Sequence, residues 1–507
     1  MAIRLVRSVS RAPVARSISR VVAHGFVLAC AALHAQGTVA IDPGVRGGTV
    51  DAGLPLATLT AGQTAQFIDA KADFSAIRSV QGNVPGQPED GLGPRFNSNG
   101  CASCHVQPAI GGTSPSTTAF PFIGPNPEIA VANLSGATNV IPYFITADGP
   151  VREARFKHFV NQGEFGGFGG FGGFFSGFGA GAGAPDGSVH ELFTITGRVD
   201  ATNTVGVTGQ PQTCVLAQPD FNLMRQLDNI SFRIPTPLFG LGLIEAISDG
   251  TILANMNANL DAKRAFGIHG SPNRNGNDGT ITKFGWKAQN ATLLMFAGEA
   301  YNVELGVSNE LFAVEHGQVG ETLPTSCLFN GVPEDHNIFD PSSSASTGMA
   351  SPFPLSDIEK FDTFMRFLAP PTPAVSTPST TNGLVVFTQI GCSLCHTPSL
   401  QTSVSSLNAS LGPTTANLFS DLLLHHMGSQ LADGITQGLA GPDQFRSAPL
   451  WGVGQRVFFL HDGRTSDLVQ AINAHASDGS EANAVVQQFR QLPSTSQQDL
   501  LNFLRSL

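Results

Sequence analysis

The feature that most restricts this chain is a five-residue unit that occurs twice, as Cys101-Ala102-Ser103-Cys104-His105 and as Cys392-Ser393-Leu394-Cys395-His396. Each residue type in CxxCH has its own task. Two thiols add across the two vinyl groups of one haem, and two intervening residues set their spacing. The adjacent His places its imidazole beneath the iron as proximal ligand. A zinc site would instead need both sulfur pairs, or one pair with two further His, gathered on a single ion. A thioredoxin-like dithiol has no use for a His after the second Cys in both copies. Two covalently bound haem c groups are therefore expected.

Such attachment takes place outside the bacterial cytoplasm, and the N-terminus agrees. Arg4, Arg7, Arg11, Arg16 and Arg20 precede an apolar run over 21–33 and small residues up to Ala35. This pattern reads as a signal peptide, 1–35, and a periplasmic or secreted mature chain. A buried N-terminal helix is the competing reading, and a lipid anchor through Cys30 is an alternative form of export. The run is shorter than the ~20 apolar residues that span a bilayer, and no later stretch qualifies. Removing 1–35 leaves 22 basic against 38 acidic residues, a balance unsuited to a nucleic-acid partner. Outside the haem motifs and the signal, Cys214 and Cys327 remain. They are either a disulfide or two buried thiols.

A chain of 507 residues has room for two or three compact units. Residues 163–184, GEFGGFGGFGGFFSGFGAGAGA, are too rich in Gly to hold a helix or strand and read as a surface insertion, or else as a mobile apolar flap. Over 356–368, Ser356 and Glu359 form a capping box, and Ile358, Phe361, Met365 and Leu368 line one helix face. A Pro/Thr/Ser linker, 369–383, separates an N-terminal haem domain (36–368) from a C-terminal cytochrome c domain (384–507). The latter ends in a helix that Ser494 and Gln497 are expected to cap. The expected fold is mainly α, with two cytochrome c-like haem domains, long loops and the insertion in the N-terminal half.

Sixth ligands separate an electron relay from a reactive iron. From a cap at Ser466 or Asp467, Leu468, Ile472 and His475 fall on one helical stripe, so His475 is the candidate for the second haem. A hydrogen-bonded core histidine is the plainer reading, and His461, His425, His426 and Met427 are rivals. After His105, residues 106–145 contain no His, Met or Lys, and His158 follows without a supporting pattern. The first iron is therefore expected to be open.

The segments RFNSNGCASCHVQPAIGG (95–112), DGSVHELFTITGR (186–198), RIPTPLFGLGLIEAI (233–247), ITKFGWKAQNATLLMFAGEAYNVELGVSN (281–309), IGCSLCHTP (390–398), SDLLLHHMGSQLAD (420–433) and APLWGVGQRVFFLHDGRTSDLVQAI (448–472) resemble the bacterial di-haem oxidoreductases, often called thiol oxidoreductases. These are relatives of the di-haem cytochrome c peroxidases and the di-haem rubber oxygenases. The resemblance places the distal ligand of the C-terminal haem at His475. It implies a bis-His, low-spin haem of lower potential than His/Met ligation would give. It also suggests Glu245 as a proton-moving carboxylate beside the first haem and Arg464 as a propionate partner. Trp286 or Trp451 becomes a candidate electron bridge. Each has a plainer reading: a structural carboxylate at a helix start, a turn-stabilising Arg, a core Trp. The distal His of the peroxidases is missing after the first CxxCH, and an apolar iron pocket with Phe232 and Phe239 is expected instead. No free reactive dithiol would remain once the haems are attached.

The resulting expectation is a periplasmic di-haem c-type cytochrome oxidoreductase. Its relay haem, on His396 and His475, would exchange electrons with a reactive haem on His105 that reduces peroxide or activates oxygen. The competitors are a pure electron-transfer cytochrome and an oxygenase cleaving a hydrophobic polymer such as rubber. A small cytochrome or cupredoxin is the expected redox partner, and calcium is left open as a further cofactor.

Overall fold

The computed structural model describes residues 39–48, 50–118, 121–160, 185–203, 212–318, 321–329, 333–336, 355–403 and 409–507. The signal segment 1–35 and the Gly/Phe-rich insertion 163–184 lie outside them. Helices carry most of the regular structure, and strands are short. The elements that position the sites are α1 (Ala61–Phe74), α2 (Cys101–Cys104), β1 (Glu153–Phe156), β2 (Val189–His190), β3 (Ile230–Arg233), α3 (Leu293–Leu305), α4 (Asp357–Phe367), α5 (Pro378–Gln389), β4 (Leu424–His426), β5 (Gln444–Arg446), α6 (Leu468–Ala474), α7 (Asn483–Gln491) and α8 (Ser494–Ser506). Strands β2, β1 and β3 form an antiparallel sheet in that order, and β4 pairs with β5.

The larger core is built where α1 packs on α4. Glu359 accepts from the Ser356 N–H at 3.1 Å, so the expected capping box starts α4. Its apolar face then meets α1: Phe364 lies 4.7 Å from Phe74 and 5.5 Å from Phe67, centroid to centroid. Ile358, Phe361, Met365 and Leu368 are all buried, as their spacing implied. The smaller core joins α5 to α8 through Phe387, Phe503, Leu500 and Leu501. Here the backbones nearly touch, since a Cβ at Gly383 would lie 2.1 Å from the Asp499 carbonyl oxygen. The cap expected for α8 is not the one found. Pro493 is the N-cap, Ser494 is already helical, and the Gln497 amide donates to the Phe489 carbonyl instead.

Chain crosses between the two cores on both sides of the linker. Residues 40–46 lie against the C-terminal unit: Asp42 pairs with Arg505 at 2.7 Å and accepts from the Leu468 N–H that starts α6. In the other direction Leu400, Leu411, Leu418, Leu422, Leu423 and Trp451 belong to the larger core.

Cys214 and Cys327 form a disulfide between residues 113 apart, with both side chains buried. A cross-link closing a loop of this size limits the unfolded ensemble by up to ~4.7 kcal/mol on a chain-entropy argument. The double replacement Cys214→Ser/Cys327→Ser should therefore lower the thermal midpoint by several degrees. Differential scanning calorimetry of both forms, with and without reductant, checks this; reductant should not shift the variant.

Candidate functional site

The first CxxCH opens a cavity of about 160 Å³ lined by Cys101, Cys104 and His105. Helix α2 is one turn long, and the chain then folds back so that the Gly112 carbonyl lies 3.1 Å from His105 Nδ1. The return is tight. A Cβ at Gly112 would sit 2.0 Å from the Gln107 carbonyl oxygen, so only Gly fits. With Nδ1–H donating to Gly112, Nε2 is the nitrogen left for iron. Burial pushes His105 down to about 4, against the pull of backbone bonds to Gly112 and Thr236, so the ring is neutral.

Part of the wall of this cavity is charged. Glu153, Glu299 and Glu304 line it together with Arg155 and Arg233. Glu153 sits on β1 and Arg233 on the adjacent β3, while α3 supplies Glu299 and Glu304. Glu153 accepts from Arg155 Nε at 2.5 Å, and Glu304 accepts from the Asn97 amide at 2.6 Å. The two carboxyls are hydrogen-bonded to each other. Burial and then the Glu153 charge push Glu304 well above the usual carboxylate range. Glu153 feels the same burial, but Arg155 and Arg233 hold it below that range. The pair thus keeps one proton, on Glu304, at neutral pH.

The second CxxCH faces a cavity of about 230 Å³. His396 Nδ1 lies 3.0 Å from the Phe419 carbonyl, and burial followed by the neighbouring His475 pushes its ring down to about 4. Asp467 caps α6, accepting from the Gln470 N–H at 2.7 Å, and His475 ends that helix. Its Nδ1 lies 2.7 Å from the Ala471 carbonyl, and burial lowers its pKa as well. His475 lines the cavity with His396. Among its rivals, His425 has both ring nitrogens on carboxylates, and His426 is half exposed and paired with Asp443. His425, His461 and Met427 all line the cavity, with the His461 ring stacked on Phe445 at 4.3 Å.

One residue escaped the sequence reading. Arg456 lines the second cavity with Nε and Nη2 buried and unpaired, and burial pulls its pKa down to about 10. A buried guanidinium with no anion is costly, which marks a place for a bound carboxylate. Arg464, eight positions on, lines neither cavity. It is held in its turn by Asp462 and by the Gln430 carbonyl at 2.7 Å, which is the turn-stabilising reading. A guanidinium cannot be assigned to either role from spacing alone; burial tells them apart.

Glu245 also lies away from both cavities. One of its oxygens accepts from Arg366 Nε at 2.9 Å and the other from the Leu293 N–H that starts α3, so it is the structural carboxylate at a helix start. Phe232 packs on Phe144 and Arg152, and Phe239 lies in the larger core. Neither lines the first cavity; the apolar part of its lining comes from other residues, among them Phe74, Leu238, Phe296, Phe361 and Met365, beside the charged groups. Trp286 lines both cavities and donates from Nε1 to the Ile234 carbonyl at 2.9 Å; Trp451 lines neither.

These residues fit haem c. Each cavity joins two thiols to a neutral, Nδ1-tethered imidazole, and the second adds another such ring and an unpaired cation. Because the two motifs occupy separate cavities, no single ion can collect both sulfur pairs. Among the described residues no group of three or more His, Cys, Asp or Glu is placed to hold a metal ion, so calcium finds no support there. No helix among them is long and apolar enough to cross a membrane.

A helix-rich chain with two CxxCH cavities joined by a Trp has the layout of a di-haem cytochrome. The chain belongs to the di-haem oxidoreductase family: residues 188–507 match the family described as "Di-haem oxidoreductase, putative peroxidase". Among solved structures it is similar to a MauG-like protein associated with microbial copper homeostasis, at 17% identity and a TM-score of 0.27. That match covers 54% of this chain and 90% of the other. No curated protein matches.

Gly112→Ala should destabilise the protein by about 2 kcal/mol or more, because the turn carrying the carbonyl to His105 must open. Gly250→Ala, within a helix and with its nearest neighbour 3.7 Å from the added Cβ, should be neutral or stabilising by up to about 1 kcal/mol. Denaturant unfolding of both variants tests the contrast.

Proposed function

We propose that the chain is an exported di-haem c-type cytochrome that reduces peroxide at its N-terminal haem and relays electrons through its C-terminal one. Cys101, Cys104 and His105 would hold the first haem, and Cys392, Cys395, His396 and His475 the second. Haem iron, when bound, supplies one-electron redox chemistry and, where an axial position is open, a place for a small oxidant.

The observation that carries the choice of peroxide is the Glu153–Glu304 pair in the wall of the first cavity. Reduction of peroxide to water consumes two protons and two electrons. Glu304 holds a proton in the cavity wall at neutral pH that can pass to the leaving hydroxide; that proton is consumed in the water formed, and solvent must reload the Glu153–Glu304 pair. Arg155 holds Glu153 in place at 2.5 Å. Other lining residues of a type that can ligate iron include Tyr301 and Met365. The Tyr301 hydroxyl is engaged by Asp357 at 2.7 Å, and Met365 shares α4 with Phe361, which packs through Phe74 toward His105.

Trp286, common to both cavities, would be the side chain through which electrons pass between the haems. Arg456 would meet a carboxylate of the second haem, the role expected of Arg464. A small cytochrome or cupredoxin would replace the electrons. The positive, then apolar, N-terminal segment supports a periplasmic or secreted site of action.

Protein matured with both haems, given peroxide and a reduced electron donor, tests the reading. A high-spin haem and peroxide consumption are expected. Two low-spin haems that bind neither cyanide nor CO would make the chain a carrier, and turnover of an isoprenoid polymer would make it an oxygenase. Glu304→Gln should lower kcat for peroxide by about 100-fold while leaving both haem spectra in place. His475→Gly should convert one low-spin haem to high-spin; an unchanged absorption spectrum would reject His475 as a ligand.

A further inference from the structure

Beside the second CxxCH lies a charged group that neither ligation nor proton delivery uses. His425 sits on β4, is 3% exposed, and touches three side chains. Nε2 lies 3.1 Å from Asp421 Oδ2; Nδ1 lies 2.8 Å from Glu481 Oε2 and 3.6 Å from Cys395 Sγ. A neutral imidazole has one N–H and can satisfy only one carboxylate. With an acceptor at each nitrogen, both must carry hydrogen, and the ring is an imidazolium.

The clamp is fixed from behind. Glu481 also accepts from the N–H groups of His269, Gly270 and His426, at 3.0, 3.3 and 3.2 Å. Asp421 accepts from the Leu423 N–H at 3.0 Å and from Ser447 Oγ at 2.6 Å. The backbone at Gly270 closes the space over the ring, since a Cβ there would lie 2.9 Å from His425 Cε1. Lys263 and Arg446 are the other charges acting on Asp421.

We infer that His425 is a built-in positive charge, pressed against a haem-attachment sulfur, that raises the reduction potential of the C-terminal haem. A cation at this edge favours the reduced state, which carries one more electron, and burial leaves the interaction little screened. Two imidazole ligands would otherwise leave the potential low. The charge brings the relay within reach of a milder donor. This rests on the reading that Cys392, Cys395 and His396 hold a haem, but not on what the other haem reduces.

Redox titration of the di-haem protein, followed at the low-spin signal, separates this role from a structural one. His425→Gln keeps hydrogen-bonding capacity and removes the charge, so the reduction equilibrium should fall at least about tenfold, ~59 mV for one electron. Glu481→Gln and Asp421→Asn remove a negative charge and should move it upward. Opposite shifts, with the other haem unmoved, support the proposal. Shifts in one direction for all three, or none in any, overturn it, because a merely structural clamp has no sign. If His425→Gln fails to load haem, His425→Asn and the charge-keeping His425→Lys decide: a lower potential in the Asn than in the Lys variant supports the proposal, and equal potentials overturn it. A parent protein whose mass shows only one haem or none would defeat the haem reading and this proposal with it.

Discussion

Three partly buried imidazoles, His105, His396 and His475, each bind a main-chain carbonyl through Nδ1. That single contact sets the tautomer, the ring plane and the direction of Nε2. It also explains local backbone features that have no other evident purpose. The chain turns back at Gly112 to bring one carbonyl under His105, the loop after the second CxxCH returns to place the Phe419 carbonyl, and α6 supplies the Ala471 carbonyl one turn before its end. Burial removes the charged form of each ring, and a neutral imidazole is what iron requires.

Around these similar seats the two cavities diverge. The first concentrates carboxylates and guanidiniums, with a proton retained between Glu153 and Glu304. The second has two facing imidazoles, an apolar lining and the unpaired Arg456. Trp286 is shared by both, and its indole N–H is taken up by the Ile234 carbonyl, which fixes the ring between them.

Much of this was legible in the residues, and the failures have physical causes. The capping box at Ser356, the apolar stripe of α4 and the placing of His475 on α6 depend on contacts within one or two helical turns, so periodicity reports them. The closing helix was also legible, but its cap was not, because Pro493 can begin a helix without a side-chain acceptor. Glu245 and Arg464 each lay in a segment of the right kind; what decides their roles is which distant chain comes to meet them, Arg366 in one case and Gln430 in the other. Glu153 and Glu304 stand far apart in sequence and meet only through their side chains in the wall of the first cavity, and no local pattern announces that. Arg456 is distinguished from any other arginine solely by lacking a partner once buried.

Buried charges also link the two cavities. Only 13% of residues are charged, yet Asp433, Arg233 and Lys287 are all buried. Asp433 pairs with Arg233 at 2.7 Å and with Lys287 at 3.1 Å. Taking such groups out of water costs more than an ordinary core would, so stability alone does not explain them. Their position does. Arg233 is part of the first cavity's wall, while Lys287 lies 4.1 Å from the centre of the Phe445 ring, which stacks on His461 in the wall of the second. One carboxylate therefore ties the wall of the first cavity to that of the second through two cations. In a low-dielectric interior that link holds the spacing of the walls more firmly than apolar packing alone, because any displacement separates opposite charges with no water to replace them.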